Sequence, residues 1–513
     1  MDVPVRSLDP AKSWWWMLGA ILLLALGLRL VGLHDPIMDH PQWRQGDTAA
    51  IARNFAQLKF NIFYPQTDYD GPPPNYVELE LQIVPYLAAI GYKIFGVHEV
   101  FGRLISICFS LGTIVALAYF GCWLFESALV GLLAALLFAI FPGSIYYGRT
   151  FMPDTAMTFF FTLALYASAR TLLAPQVKPI PWKDIGCAAL LALAFLAKPV
   201  SALAVIPLAC IGRLRSLILI VPAAISLWLY LDEVNSHAEW HWASGITREH
   251  VIPSLLHALV SPHAFVAKCI VLLTTIPSML STTMLGPAGF ALALLGFLMP
   301  LRSRSNVLLY SWLLAAVLYA FVVVTVERVD YYLYPVLPLA ALVGAAFIRT
   351  FAELWSKAVP RLQNAALAGA IVALIVIIGD NAAQIEPYYY YKRTVYLEAR
   401  RLHAVLAPNT LVVMAHYDPS ILYYMQHKGW EEDPLLWTPF DEQSAIRKGA
   451  RYFIAVEQNR FEKNAELYAW MQRFPLLANS GIWPVYETDY AKMVPGAEAR
   501  WRAFRRKEKA GSR

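Results

Sequence analysis

Long apolar blocks fill residues 14–380, and the polar residues between them are gathered into a few loops. A helix crosses the core of a bilayer with roughly 20 consecutive apolar residues. Several blocks reach this length, so the pattern predicts about eleven membrane-spanning helices. Their approximate positions are 14–33, 100–123, 128–146, 155–173, 184–197, 200–212, 216–231, 285–300, 306–325, 331–348 and 363–380. The apolar stretch 264–284 is left open, as an additional span or as a re-entrant or interfacial helix.

Composition supports a membrane protein. Hydrophobic residues make up 58% of the 513 positions and charged residues 15%, whereas soluble domains carry about 25% charged residues. The formal net charge of +6 is better explained by membrane topology than by nucleic-acid binding. We therefore expect membrane lipids around the chain and no nucleic-acid partner.

The basic residues of the short loops indicate the orientation. Lysine and arginine collect in cytoplasmic loops of membrane proteins, and eleven spans place all five basic clusters of this chain on one side. The clusters include Arg6 and Lys12; Arg170, Lys178 and Lys183; Arg213 and Arg215; Arg302 and Arg304; and Arg349, Lys357 and Arg361. The loops 34–99 and 232–262 and the tail 381–513 then face outward. That placement agrees with leaving 264–284 out of the span count.

The tail differs from the rest of the chain. Strand-like segments at 410–415 and 451–456 alternate with helix-like segments near 391–406, 419–427, 441–448 and 460–471. This alternation is typical of a small α/β domain. We predict a membrane domain at 1–380 and an extracytoplasmic α/β domain at 381–513. The basic end, 500–513, is interpreted as a solvated tail, with contact to anionic headgroups as the alternative.

The first outward loop opens with closely spaced polar groups. Asp39, Trp43, Arg44, Gln45 and Asp47 fall within nine positions directly after the first span. Carboxylates, an arginine and a tryptophan at the membrane surface are suited to binding a polar headgroup. The alternative for Asp47 is that it caps a helix beginning at Thr48.

A second acidic motif runs from Arg149 to Asp154 and also maps to the outer face. Ionisable groups at the bilayer boundary are costly and often functional, although Pro153 and Asp154 also suit the start of a helix. Lys198 interrupts an apolar block; the alternative is that it extends its charge to the interface.

Other outward residues are less distinctive. Arg328 either binds an anion or pairs with a neighbouring carboxylate. Tyr332 either contacts substrate or belongs to an interfacial aromatic belt. The histidines of the second loop lack metal-ligand spacing, so we predict no metal site and leave a divalent cation open.

These motifs resemble those of the GT-C membrane glycosyltransferases, and most of all glycosyltransferase family 39 and its bacterial relatives. These include protein O-mannosyltransferases and lipid A aminoarabinose transferases. The resemblance covers roughly 14–350. It rests on the acidic first-loop motif followed by Ile51-Ala-Arg53, the stretches GPPPNYVELEL (71–81) and FGRL (101–104), the motif from Arg149 to Asp154, Lys198–Pro199, and the pattern Tyr332, Pro335, Pro338.

The resemblance implies a polytopic α-helical GT-C fold in a bacterial-type inner membrane, with an extracytoplasmic active site. It implies an inverting transfer of a hexosyl or pentosyl group from a polyprenyl-phosphate donor to a lipid, glycan or protein acceptor. Asp47 fits the role of base best and Asp39 is its rival, with Asp154 as a further catalytic residue. Trp43, Gln45 and Tyr332 are the expected substrate-binding residues.

The chain departs from the family pattern at Gly71-Pro72-Pro73-Pro74, where many relatives have Gly-Lys-Pro-Pro. The lysine that would approach the donor phosphate is absent. The expected phosphate-binding residues are therefore Arg44, Arg149, Lys198 and Arg328.

Two other classes of function are alternatives. A transporter or flippase for a lipid-linked substrate predicts charges near the bilayer midplane and, usually, duplicated halves; this chain has no evident repeat. A non-catalytic scaffold predicts no polar cavity beneath the first loop.

Overall fold

The computed structural model describes residues 12–174, 181–359, 363–478 and 481–511. Arg6, Lys178 and Arg361 of the basic clusters, and the last two residues of the basic end, lie outside the described residues.

The part that precedes the tail is almost entirely helical. Its α-helices are α1 Lys12–Arg29, α2 Gln42–Gln57, α3 Ile83–Phe95, α4 Val100–Phe125, α5 Ala128–Ile140, α6 Pro142–Tyr147, α7 Asp154–Leu172, α8 Pro181–Ala197, α9 Val205–Gly212, α10 Leu217–Asn235, α11 Trp242–Gly245, α12 Ile252–Val260, α13 Pro262–Leu273, α14 Thr275–Met279, α15 Gly286–Leu298, α16 Asn306–Tyr319, α17 Thr325–Glu327, α18 Leu337–Ala358 and α19 Gln363–Ile385. Short 3-10 and π-helical turns join several of them, at Pro199–Ala204, Arg213–Ser216, Ile246–Val251, Leu280–Met284, Ala320–Val324, Asp330–Val336 and Glu386–Tyr389.

Six helical stretches among the described residues are long and apolar enough to cross a bilayer. They are Val100–Phe125, Pro199–Asn235, Pro262–Met284, Asn306–Glu327, Asp330–Ala358 and Ala368–Val405. Shorter apolar helices lie between them. The predicted polytopic helical architecture is confirmed.

Small residues let the helices of the bundle pack closely. A Cβ on Gly131 of α5 would lie 2.3 Å from the carbonyl oxygen of Ala118 in α4, and one on Gly296 of α15 would lie 2.5 Å from that of Val343 in α18. Close backbone approach at small residues is a common way for helices to associate in lipid. These contacts hold α4 against α5 and α15 against α18.

The segment Pro262–Met284 meets one end of the bundle at both of its own ends. Near its start, Lys268 Nζ donates a hydrogen bond to Thr325 Oγ1 at 2.6 Å. At its end, Met284 lies against Gly143. Gly143 and Thr325 lie within five residues of Tyr147 and Asp330, respectively, and Tyr147 Oη donates a hydrogen bond to Asp330 Oδ1 at 2.6 Å. Both contacts are therefore near the end of the bundle that carries Asp154. By length and composition the same segment is one of the six stretches able to cross a bilayer.

The tail contains helices α20 Arg393–Val405, α21 Pro419–Met425, α22 Pro439–Arg447, α23 Gln458–Lys463, α24 Ala465–Met471 and α25 Ala497–Gly511. Two-residue strands, β1 Val77–Glu78 and β2 Trp240–His241, lie in the part of the chain before the tail. The strands of the tail are β3 Leu411–Met414, β4 Lys428–Glu431, β5 Ala450–Ile454 and β6 Val485–Glu487. The sheet order is β4-β3-β5-β6, with β3 parallel to β4 and β5, and β6 antiparallel to β5. Helix α19 continues past residue 380. The domain boundary at 380 stays a prediction.

The tail packs directly on the first loop. Gly46 of α2 touches the start of α21 so closely that a Cβ there would lie 2.7 Å from the backbone nitrogen of Ser420. Buried Asp68 pairs with Arg53 of the loop and with Lys428 of β4, the latter at 3.3 Å. A shared apolar core and these ion pairs fix the tail above the helix that carries Asp47.

Candidate active site

A cavity of about 840 Å³ lies at the end of the bundle beneath the first loop. Its wall combines five separate parts of the chain: the first loop, the turn after α8 with the start of α9, the second loop, helix α16 with the turns that follow it, and the tail. Of the residues predicted for the site, Trp43, Arg44, Asp47, Lys198 and Tyr332 line it. A polar cavity in this position is what a non-catalytic scaffold does not predict.

Asp47 lies inside α2, which begins at Gln42. The interpretation of Asp47 as the cap of a helix starting at Thr48 is therefore wrong. Its side chain is buried, and Tyr69 Oη donates a hydrogen bond to Oδ1 at 2.8 Å. Burial raises the pKa of Asp47 to about 7, although Arg44 and the Tyr69 hydroxyl act in the opposite direction. A carboxyl group with this pKa exchanges a proton readily near neutral pH.

Asp154 is the first residue of α7 and meets the cavity through Lys198. Lys198 Nζ bonds Asp154 Oδ1 at 2.7 Å, while Asp154 Oδ2 is buried without a hydrogen-bond partner in the described part of the chain. No side-chain cap bond forms at the start of α7. Lys198 is buried as well, close to the rings of Tyr331 and Tyr332. Lys198 therefore does not extend its ammonium group to the membrane interface.

Lys198 owes its position to a break in the backbone. Helix α8 ends at Ala197, Lys198 is extended, and a 3-10 turn begins at Pro199. Proline disfavours a helical conformation in the residue that precedes it. The local sequence thus turns the lysine side chain out of the helix and toward Asp154.

Arg44 forms a buried ion pair with Glu80, and both line the cavity. Sequence reasoning missed Glu80, although it lies within the 71–81 stretch that supports the family resemblance. A signal was present, since Glu78 and Glu80 alternate in an otherwise apolar stretch. Both glutamates are buried.

Besides Asp154, which contacts the lining residue Lys198, four other predicted site residues do not line the cavity. Asp39 is fully buried between Arg149 and Arg103, and Gln45 Nε2 donates to it at 2.8 Å. Arg149 also donates to the carbonyl oxygen of Gly32 at 3.0 Å. Contrary to the prediction, these side chains do not line the cavity; they bond one another and connect the first loop to the bundle.

Arg328 is the fourth of these residues. Its side chain is exposed, and its Nε donates to the Thr325 carbonyl at 3.3 Å. It is not among the cavity-lining residues. The pairing with Asp330 that the sequence left as an alternative is not seen either, since the carboxylate of Asp330 accepts from the hydroxyls of Tyr147 and Tyr388.

The second loop closes one side of the cavity. Strand β2 pairs with β1, and Ser244 donates to Glu78 Oε2 through its backbone nitrogen at 3.0 Å and its hydroxyl at 3.1 Å. The ring of Trp242 stacks on Tyr69 with centroids 5.3 Å apart. The loop thereby holds in place the tyrosine that bonds Asp47.

The tail also contributes to the cavity wall, through Tyr417, Pro419 and Glu431. Sequence reasoning assigned no tail residue to the site. No local motif marks these positions, because only the docking of the tail on α2 brings them near Asp47.

A comparison with protein families finds one match. Residues 82–234 match the family described as dolichyl-phosphate-mannose-protein mannosyltransferase. No curated protein sequence is similar enough to count as a match.

Solved structures match almost the whole chain. The structure of ArnT from Cupriavidus metallidurans bound to undecaprenyl phosphate is 14% identical, with a TM-score of 0.58 over 94% of this chain and 100% of that chain. The chain has the fold of the GT-C membrane glycosyltransferases. The GT-C fold that the resemblance implies is confirmed, and the chain is an integral, multi-pass membrane protein.

A second GT-C structure agrees. The Archaeoglobus fulgidus oligosaccharyltransferase AglB, in complex with an inhibitory peptide and a dolichol-phosphate, is 12% identical, with a TM-score of 0.54 over 93% of this chain and 74% of that chain. Identities this low establish the fold alone.

Proposed function

We propose that the chain transfers a sugar from a polyprenyl-phosphate donor to an acceptor at the extracytoplasmic face of a bacterial-type inner membrane, with inversion at the anomeric carbon. The observation that carries this proposal is the presence of Asp47, Arg44 and Lys198 on one cavity. A buried carboxyl group can accept a proton, and neighbouring cations can stabilise a departing phosphate.

Asp47 is the proposed base. It accepts the proton of an acceptor hydroxyl while the acceptor oxygen forms a bond to the anomeric carbon. The bond between that carbon and the phosphate oxygen breaks on the opposite face, and its electron pair leaves with the lipid phosphate. The pKa of about 7 that burial gives Asp47 suits this role, because a general base works best with a pKa near the working pH.

Arg44 and Lys198 are the proposed phosphate-binding residues, and they replace the family lysine that is absent at 71–74. Each has a carboxylate partner, Glu80 and Asp154 respectively, so the cavity is not left with bare cations. An ammonium group carries three donors, so Lys198 can bond a phosphate oxygen while it still bonds Asp154. Asp154 then acts by positioning Lys198.

The apolar part of the cavity suits a polyprenyl chain. Leu203, Ile206, Leu318, Val322 and Val323 line it on the side of the bundle helices. These side chains lie beside the proposed phosphate site, so a lipid tail can stay in an apolar environment while its headgroup reaches Arg44 and Lys198. The undecaprenyl phosphate bound to the similar ArnT structure supports this class of donor.

One experiment identifies the acceptor class and distinguishes transfer of a hexosyl group from transfer of a pentosyl group. Glycolipids, glycans and glycoproteins of a deletion strain are profiled by mass spectrometry, and the molecule that loses a sugar is the acceptor. Wild type and the variants Asp47→Asn and Asp154→Asn are then returned to the strain. We expect wild type alone to restore the sugar fully.

The matched control is Asp184→Asn. Asp184 is also a buried carboxylate with a basic partner, Arg215 at 3.5 Å, but it lies at the opposite end of α8 from Lys198. We expect this variant to restore the sugar. Full restoration by both Asp47→Asn and Asp154→Asn would refute the proposed function.

A further inference from the structure

Glu431 is a buried acid of the tail that the proposed transfer does not use. It is the last residue of β4, is 2% exposed and lines the same cavity as Asp47. Its Oε2 atom is buried and has no hydrogen-bond partner in the described ranges of the chain. A buried polar atom without a partner costs free energy, so a ligand that supplies one would bind favourably here.

The surroundings of Glu431 are acidic. The cations of the cavity are paired with other carboxylates, Arg44 with Glu80 and Lys198 with Asp154. Burial comes first among the causes that raise the pKa of Glu431 well above its ordinary value, and the nearby carboxylates act in the same direction. The charged or titratable groups that interact with it are Asp47, Asp70, Asp418, Glu432, Tyr69 and Tyr417.

This environment favours the uncharged acid. A protonated carboxyl group has one O–H donor and keeps acceptor capacity on its other oxygen. It can therefore bond a hydroxyl group in either direction. A phosphate or carboxylate at the same place would face Asp47 and Asp70 in a poorly solvated cavity, and like charges there repel strongly.

We propose that Glu431 hydrogen-bonds a hydroxyl group of an electrically neutral acceptor, so that the tail supplies the acceptor side of the site. The inference rests on the proposed function and deepens it. The cavity then has two ends of different character: Arg44 and Lys198 bind the lipid phosphate, and Glu431 positions the acceptor next to Asp47.

The test compares Glu431→Gln with Glu431→Ala in the full-length protein. Membranes of the deletion strain serve as the acceptor preparation and are titrated against a fixed amount of radiolabelled donor lipid. Inhibition by added undecaprenyl phosphate reports the donor side independently. Glu432→Gln is the matched control, because Glu432 is the neighbouring acid and does not line the cavity.

Glutamine keeps both a donor and an acceptor, whereas alanine keeps neither. We expect Glu431→Ala to raise the apparent KM for acceptor membranes about 3- to 10-fold, as loss of one neutral hydrogen bond predicts. Glu431→Gln and Glu432→Gln should stay within about twofold of wild type. Inhibition by undecaprenyl phosphate should be the same in all variants.

The pH dependence gives a second readout. Ionisation of Glu431 as pH rises removes its O–H donor, so the acceptor KM of wild type should increase with pH. Glutamine does not ionise, so the rise should be absent in Glu431→Gln.

Three outcomes overturn the inference. An unchanged acceptor KM in Glu431→Ala shows that the side chain does not contact the acceptor. Equal loss in Glu431→Gln and Glu431→Ala shows that the ionised carboxylate is needed, as for a cationic acceptor. Weaker inhibition by undecaprenyl phosphate in Glu431→Ala shows a structural role. Absence of transfer by wild type would instead refute the proposed function itself.

Discussion

The hydroxyl of Tyr69 provides a direct test of how Asp47 is tuned. Tyr69 Oη donates to Asp47 Oδ1 at 2.8 Å, and this bond opposes the effect of burial on the Asp47 pKa of about 7. A hydrogen bond to a charged group contributes about 1.5–3 kcal/mol, and about 1.4 kcal/mol corresponds to one pKa unit. Tyr69→Phe should therefore raise the pKa of Asp47 by about 1 to 2 units.

The expected loss of activity follows from the fraction of ionised base. With a pKa near 7, about half of Asp47 is ionised at pH 7 in wild type; with a pKa one unit higher, about one-tenth is ionised. Transfer at pH 7 should fall about fivefold or more and recover toward pH 9. Phenylalanine keeps the ring that stacks on Trp242, so the second loop should remain in place.

The assay is the rate of sugar transfer in membranes, measured as kcat/KM from pH 5 to 9.5. Tyr64→Phe is the control, because Tyr64 is also a tyrosine of the first loop but does not line the cavity. It should reproduce the wild-type profile. A Tyr69→Phe profile with the wild-type midpoint, or one displaced toward acid pH, would refute the role of Asp47 as a base tuned by this bond.

Three further variants test the site and its support. Asp47→Asn should abolish transfer yet raise the melting temperature at pH 8. Folding raises the pKa of the Asp47 carboxyl, so the stability of wild type falls as pH rises from about 4 to about 7. The stability gain of the variant over wild type should therefore vanish near pH 4. Lys198→Met should abolish transfer and lower unfolding free energy by about 3–5 kcal/mol, because Asp154 is left as an unpaired buried charge; adding Asp154→Asn should restore the melting temperature without restoring transfer. Gly46→Ala should cost about 1–3 kcal/mol, and limited proteolysis should show earlier cleavage of the tail, because the new Cβ meets the backbone of Ser420.

Each of these variants has a result that contradicts the reasoning. For Asp47→Asn it is a stability gain that does not depend on pH. For Lys198→Met it is unchanged stability, which would mean that the ion pair is absent. For Gly46→Ala it is a wild-type cleavage pattern, which would mean that the tail does not rest on α2.

Local pattern was sufficient for much of the fold. Apolar block lengths predict the helical membrane architecture, and Lys198 interrupts an apolar block at the point where α8 ends. The strand-like segments 410–415 and 451–456 closely match Leu411–Met414 and Ala450–Ile454. Helix 460–471 was predicted whole, but it is two helices, because the side chain of Asn464 accepts a hydrogen bond from Leu467 N and starts a new one.

The site was predicted less completely. Charge at the outer boundary marked Asp47, Arg44 and Lys198, which do share a cavity. The same signal also marked Asp39, Arg149 and Arg328, which do not line it. Composition cannot separate these groups, because an acid that pairs with arginines in a closed network and an acid that faces a cavity have the same sequence signature.

The sequence alone determined the membrane architecture and the end of the bundle at which polar chemistry collects, because hydrophobicity and charge act through the solvent and need no knowledge of contacts. Tertiary structure alone decided which polar groups neutralise one another and which remain available. Asp39 lies between two arginines, whereas Asp47 faces a cavity that the tail completes with Glu431. That distinction depends on how segments far apart in the chain pack together, since burial and pairing set the charge state of each group.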